Sequence, residues 1–430
     1  MCVGESKKQF AKRDLAYFFE VLIALSFILS GHCVWAWSDA CWEWFWIIPL
    51  SLLGLGVAGS FFILKCYANK KTCLKGFALT AAIVGSLLIF AIINPYSLSS
   101  YAKFVFAVGF MAIYIFVCQG EGKIPHALKT YSWVITVVAA FSMIVWIFII
   151  TGVLSPSGIF YCEWTGETRE LNCYLGVQFA TQNFDFAGFT IIRNTFCFTE
   201  GPMYAVQLCF ALIIDLFLCE KASWVKVLIL GAAIFTTFTY TGWIIFLLAI
   251  FVKLLFLFLK SKRYKNLKKS RKCVLWSIII ALLILVCISV IILIKDKLGS
   301  DSGIIRMDDY KVGILAWLDK PILGNGFENY SALRGHMGEW RSYNLGFSNS
   351  VTRILADGGI YFGILFYAPF ICSIVGSLKK KNYNLLVFTV AVLAIFCLTI
   401  ISYTYIMVFM LIFLFSYANP RTIFQTSHRD

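Results

Sequence analysis

Three short stretches of this sequence concentrate side chains that can bind an anion and move a proton. The first is Arg193-Asn-Thr-Phe-Cys-Phe-Thr-Glu200-Gly-Pro202. Pro202 suits the first turn of a helix, where its missing N–H costs nothing. The free N–H groups at such a helix start form an anion site, and Arg193 adds a guanidinium that can fork onto a phosphate. Glu200 suits either a helix cap or a general base. The bland alternative is an Arg193–Glu200 pair that only fixes the loop. The second stretch is Arg306-Met-Asp308-Asp309-Tyr310, followed by Lys320-Pro321-Ile-Leu-Gly324-Asn-Gly326-Phe327. Apolar Val312, Ile314, Leu315 and Leu318 predict a short amphipathic surface helix, and Pro321 with the two glycines predicts a turn. Asp308 and Asp309 are adjacent, so their side chains diverge, which suits a solvated or capping role better than a metal site. The third stretch holds His336, Arg341, Ser348-Asn349 and Arg353-Ile-Leu-Ala-Asp357-Gly-Gly. Asn349 is a good helix N-cap. Arg353 and Asp357, four apart, share one helix face, as a structural ion pair or as part of a ligand site. His336 is either plain surface or a proton carrier.

The elements that position these stretches are membrane helices. The 430 residues are 60% hydrophobic and only 14% charged, with a mean hydropathy of +0.83; soluble domains carry about 25% charged residues. Apolar spans are read near 15–36, 44–65, 76–93, 102–119, 132–154, 202–219, 222–238, 240–259, 273–294, 349–377, 383–400 and 402–418. Each approaches the ~20 residues that a crossing needs. The fold expected is therefore all-α: one polytopic transmembrane domain over residues 1–430, with about twelve helices. The first span, from near Leu15, is long enough to remain as a helix rather than be cleaved. No internal repeat is visible.

The net charge is +15, and its placement excludes a nucleic-acid reading. Lys and Arg gather in every second connection: Lys7 to Arg13, Lys65 to Lys75, Lys123 and Lys129, Lys221 and Lys226, Lys260 to Lys272, Lys379 to Lys381, then Arg421 and Arg429. The intervening short loops hold almost none, Lys103 being the exception. That alternation predicts two cytoplasmic termini and puts two long loops, about 155–201 and 295–349, on the outer side. Asp215 is expected towards the cytoplasmic end of its helix, hydrogen-bonded, and Lys253 is expected to snorkel to the same face. Most of the 15 cysteines fall in apolar spans. Cys162 with Cys173, and Cys33 with Cys41, share outer loops where disulfides are possible.

Together these residues resemble the O-antigen polymerase and ligase group, membrane glycosyltransferases that act on polyprenyl-pyrophosphate sugars. The first stretch is similar to that group's Arg, aromatic run and Glu-Pro, with Gly201 inserted here. The second is similar to its Arg, short helix and Pro-x-x-Gly-x-Gly turn, filled by Arg306, Pro321, Gly324 and Gly326. The third resembles its Asn-started helix with a glycine-rich middle: Ser348, Asn349, Gly358, Gly359 and Gly363. Thr239-Tyr-Thr-Gly242 resembles the Thr-x-Ser found before a span. The ligases typically place His where this chain has Ser348, which favours the polymerase.

The resemblance implies the architecture of the C-superfamily glycosyltransferases in the bacterial inner membrane. It implies polymerisation of lipid-linked repeat units into O-antigen, capsule or exopolysaccharide, with a polyprenyl-pyrophosphate-linked oligosaccharide as both donor and acceptor. Arg193, Arg306, Arg341 and Arg353 are the expected pyrophosphate ligands, and Glu200 and then His336 the expected base. No cofactor or metal is implied, and a chain-length regulator is a conceivable partner. Trp164 and Trp340 are read as sugar-stacking or interface-anchoring residues. The rivals are a flippase for the same lipid-linked sugar, and a ligase.

Overall fold

The computed structural model describes residues 2–64, 70–120, 123–164, 166–186, 188–277, 301–341 and 344–418. The principal helices are α1 (Cys2–Leu29), α2 (Ile47–Leu64), α3 (Lys70–Ile93), α4 (Leu98–Ile113), α5 (His126–Ile150) and α6 (Gly201–Ile213). They continue with α7 (Trp224–Thr236), α8 (Tyr240–Lys260), α9 (Asp301–Asp319), α10 (Ser350–Lys379), α11 (Tyr383–Leu398) and α12 (Tyr405–Ala418). Seven helices among the described residues are long and apolar enough to cross a membrane, and α7, α11 and α12 are shorter apolar helices. The chain is an all-α polytopic membrane protein. The span read near 273–294 lies largely outside the described residues, as do Lys65, Arg421 and Arg429.

Burial separates the axis of the bundle from its rim. The span Gly201–Leu218 is 94% buried, whereas those in α3 and α8 are only 22% buried. Helix α6 therefore runs through the interior, and its first residues open at the end that carries the long loops. Its far end widens into a π turn over Ile214–Leu218. There Asp215 accepts from the Ser223 N–H at 2.8 Å and pairs with Lys226 at 3.3 Å, the hydrogen-bonded role expected of it. Lys253 does not snorkel: it is buried and donates to the Leu216 carbonyl.

Helix α10 is broken at Gly359, whose φ of 58° and ψ of −152° are non-helical. The break would strand backbone groups inside a bilayer, where unpaired N–H and C=O are costly. The Pro321–Gly326 turn supplies the partners. Asn325 N–H donates to Ala356 O at 2.8 Å and Gly326 N–H to Asp357 O at 2.9 Å, while Pro321 O and Ile322 O accept from Ile360 and Tyr361 at 2.9 and 3.1 Å. Contact is so close that a Cβ on Gly324 would lie 2.4 Å from the Asp357 backbone, and one on Gly359 2.5 Å from Ile322. Both glycines also have positive φ, which only glycine adopts freely. The two glycine motifs of the sequence are thus the two sides of one backbone seam.

The loop near 155–201 is not a mere connector. It folds into an antiparallel sheet of β1 (Gly158–Trp164), β2 (Glu167–Tyr174) and β3 (Gln178–Ala180), then a hairpin of β4 (Asn183–Phe186) and β5 (Phe189–Ile192). Both hairpins turn through two residues ending in glycine of positive φ, Gly166 and Gly188, the geometry that tight hairpins favour. The register corrects the disulfide expectation. Cys173 faces Gly158 and Cys162 faces Arg169, so the two cysteines sit about four residues apart along the ladder, roughly 13 Å at the strand rise, and cannot join. Cys33 likewise is not beside Cys41 in a bridge; its Sγ lies 3.6 Å from Cys197 Sγ.

Candidate functional site

The segment 193–200 is irregular, mostly buried backbone, and its polar groups are met by several elements. Arg193 N–H donates to Gln182 O at 3.0 Å, Asn194 N–H to Thr236 O at 3.0 Å, and Thr199 N–H to His32 O at 3.1 Å; Cys197 O accepts from Val34 at 2.8 Å. The Thr195 hydroxyl closes onto Phe179 O at 2.7 Å. Such pairing is what makes non-helical backbone tolerable here. It fixes Arg193 and Glu200 at either end of a rigid arc.

Glu200 is the N-cap residue of α6, with Pro202 in the first turn, but its side chain does not cap. Gln182 Oε1 accepts from the Gly201 N–H at 3.1 Å in its place. The carboxylate is therefore released to accept from Trp164 Nε1 at 2.6 Å. Burial raises the Glu200 pKa, against the Trp164 hydrogen bond and the guanidiniums of Arg169, Arg306 and Arg193. Arg193 and Glu200 do not form an ion pair among the described residues. The Arg193 guanidinium instead stands 5.4 Å over the Phe184 ring, with its Nε buried and unpartnered. Burial lowers the Arg193 pKa, while Glu200, Tyr240 and Asp185 oppose this. Arg306, on α9, donates to Leu398 O at 3.1 Å. Arg193 and Arg306, from separate segments, thus both act electrostatically on the Glu200 carboxylate beside the start of a buried helix, while their own contacts are made elsewhere.

The other expected residues are placed elsewhere. Arg341 is fully buried, and its Nη1 reaches Asp309 at 2.7 Å and Asp308 at 3.1 Å, with Nη2 donating to Gly346 O. Both carboxylates meet one guanidinium nitrogen, which corrects the expectation that Asp308 and Asp309 diverge into solvent or cap a helix. Asp309 Oδ2 also accepts from the Ser348 N–H at 2.8 Å and hydroxyl at 2.6 Å. Burial raises the Asp309 pKa, and these hydrogen bonds and Arg341 oppose it. The cluster ties the second long loop to the start of α10, where Asn349 caps Val351 and Thr352 at 2.9 and 3.2 Å. His336 bonds Asp319 at 2.7 Å, at the opposite end of α9 from Arg306, some 20 Å away by the helical rise. It is not brought to Glu200.

Arg353 and Asp357 do pair, Nε to Oδ2 at 2.7 Å, both almost wholly buried. Asp357 Oδ2 accepts further bonds from Tyr403 OH at 2.8 Å and Glu328 N–H at 3.2 Å. Tyr403 belongs to the linker between α11 and α12, which is a hub. Its Leu398 O takes Arg306, its Thr399 O takes the Ser350 hydroxyl at 2.5 Å, and its Ile400 O faces His32 Nε2 at 3.1 Å. Burial holds the His32 pKa down at about 4. Arg169, Glu328, Tyr330 and Tyr403 are the site residues that sequence reasoning did not assign, while Trp164, read as sugar-stacking or interface-anchoring, donates to Glu200. Only Arg169 carried a signal, the Thr165-Gly166 and Ala187-Gly188 hairpin pairs that would have revealed the sheet.

The arrangement defines a class: a polytopic membrane protein whose long loops and helix starts gather ionisable groups at one end of the bundle. Residues 225–368, about a third of the chain, match the family model described as O-antigen ligase. Over that stretch the chain resembles the O-antigen polymerase/ligase family, whose members are glycosyltransferase-like enzymes. The match includes Arg306, Arg341 and Arg353 and leaves Arg193 and Glu200 outside it. No curated protein matches the chain.

Proposed function

We propose that the protein polymerises polyprenyl-pyrophosphate-linked oligosaccharide repeat units at the outer face of the cytoplasmic membrane. The observation that carries this reading is the buried Glu200 carboxylate at the N-terminus of α6, acted on electrostatically by Arg169, Arg306 and Arg193, with the Arg193 Nε buried and unpartnered beside it. Guanidiniums there suit a diphosphate leaving group, whose developing charge such groups stabilise. An acceptor sugar hydroxyl attacks the anomeric carbon of the donor glycan. The bond from that carbon to the phosphate oxygen breaks, and the lipid pyrophosphate leaves with the electron pair. The hydroxyl proton passes to Glu200, whose buried carboxylate is more basic than an exposed one.

Ser348 supports polymerase over ligase: the position is occupied by a hydroxyl already bonded to Asp309 rather than by a His free to act. Charge gathered in the loops, with α6 packed solid, favours transfer over transport. Both termini are cytoplasmic in this reading. Purified protein given a synthetic lipid-linked repeat unit is expected to yield a lipid-linked polymer. Glycan delivered to a different acceptor would instead identify a ligase, and movement without bond formation a flippase.

A further inference from the structure

Arg353 is 2% exposed, yet only its Nε is engaged, by Asp357. Nη1 and Nη2 are buried with no hydrogen-bond partner. Unmet buried donors on a charged group cost more than neutral ones, so this guanidinium is built for a further acceptor. It lies 3.8 Å over the ring of Tyr330, which is itself exposed. Burial raises the Glu328 pKa, with Asp357 adding to it and Arg353 and Lys103 opposing it.

Glu328 has a φ of 53°, a left-handed conformation that non-glycine residues rarely take. Its N–H is pinned to Asp357 Oδ2 at 3.2 Å. Strain of this kind persists where the surroundings over-determine a residue, and it gathers at ligand sites. Lys103, the stray cation of the charge pattern, stands 4.0 Å over the Trp46 ring. Arg353 pairs with Asp357, and Glu328 lies beside that pair, with Lys103 acting on it electrostatically. With its one guanidinium already paired, this group is poorly suited to hold a phosphate. It offers free donors, a carboxylate acceptor and an aromatic face.

We propose that Arg353, Glu328 and Tyr330 form a second subsite that binds an uncharged, hydroxyl-rich sugar ring of the acceptor glycan. Arg353 Nη1 and Nη2 donate to ring and hydroxyl oxygens, Glu328 accepts from sugar hydroxyls, and Tyr330 packs on the ring's apolar face. The subsite rests on the reading that the protein acts on lipid-linked glycans. The linker from Leu398 to Tyr403 touches both clusters, through Arg306 and through Asp357. Pyrophosphate and acceptor sugar would therefore sit on either side of one short segment.

The test is saturation-transfer NMR on the purified full-length protein in lipid nanodiscs. The probes are the methyl glycosides of glucose, galactose and N-acetylglucosamine, with inorganic pyrophosphate as competitor. At least one glycoside is expected to bind, with affinity falling about tenfold or more in Glu328→Gln and in Tyr330→Ala, the loss of one charged hydrogen bond or one stacking face. Excess pyrophosphate is expected not to displace it, and Arg193→Ala to retain it. Absence of glycoside binding to the wild type, displacement by pyrophosphate, or unchanged affinity in both variants overturns the proposal. Size-exclusion elution shows that the variants are folded, and the wild-type competition stands without them. Glycoside binding that survives when the polymerisation assay fails would uphold the subsite and reject the polymerase.

Discussion

Two charged clusters lie at the loop-bearing end of this protein, and they are built in opposite ways. The Glu200 cluster draws its groups from a strand, an irregular segment and a separate helix, and no ion pair to Glu200 is present among the described residues. The Arg353 cluster is centred on one turn of one helix, is almost wholly buried, and pairs Arg353 with Asp357 beside Glu328. Guanidiniums gathered from separate elements in a half-buried setting, without an ion pair to that carboxylate, contribute little to folding. A balanced pair inside a helix bundle holds the fold, because neither ion survives there without the other.

That contrast can be broken by mutation. The largest expected effect is on stability. Arg353→Ala leaves Asp357 unpaired and is expected to cost about 3–5 kcal/mol, read as a fall in the unfolding temperature of the purified protein. Arg193→Ala and Arg306→Ala are expected to leave that temperature unchanged and to cut chain growth by about 10²–10³-fold, read from chain-length ladders. Normal ladders from both would remove the assignment of the Glu200 cluster. Gly324→Ala tests the seam that links the clusters. Its Cβ would press on the Asp357 backbone, and a loss of about 1–3 kcal/mol is expected.

The smallest effect sharpens the role of Glu200. As a base it works ionised, and burial raises its pKa above the ordinary 4.5. The rate is therefore expected to rise with pH through a limb above that value. Trp164→Phe deletes a hydrogen bond that favours the charged form, so the limb is expected to move further up. A pH–rate profile that does not shift in this variant would show that Glu200 is not the titrating group.

Much of the helical frame was legible in the sequence, because apolar length and breaking residues such as Thr239 and Asn349 mark helix ends directly. The glycine seam was also legible in part, through the Pro321, Gly324, Gly326 and Gly359 spacing. What was not legible depends on contacts far apart in the chain. The β-sheet between α5 and α6 went unread because its apolar residues do not alternate strictly, and only its turns announce it. Arg341 looked like a ligand because the sequence could not show that Asp308 and Asp309 turn back onto it from another helix. Glu328 was invisible because nothing local reveals that the turn after Gly326 lands on Asp357.

The break at Gly359 has a consequence for how the protein is assembled. Helix α10 obtains four of its main-chain bonds from residues made about 35 positions earlier. Those residues leave the ribosome first and must wait, half-satisfied, for their partner. Residues 321–326 and 356–361 therefore mature as one joint, and damage to either half is expected to surface as the same late failure of membrane integration.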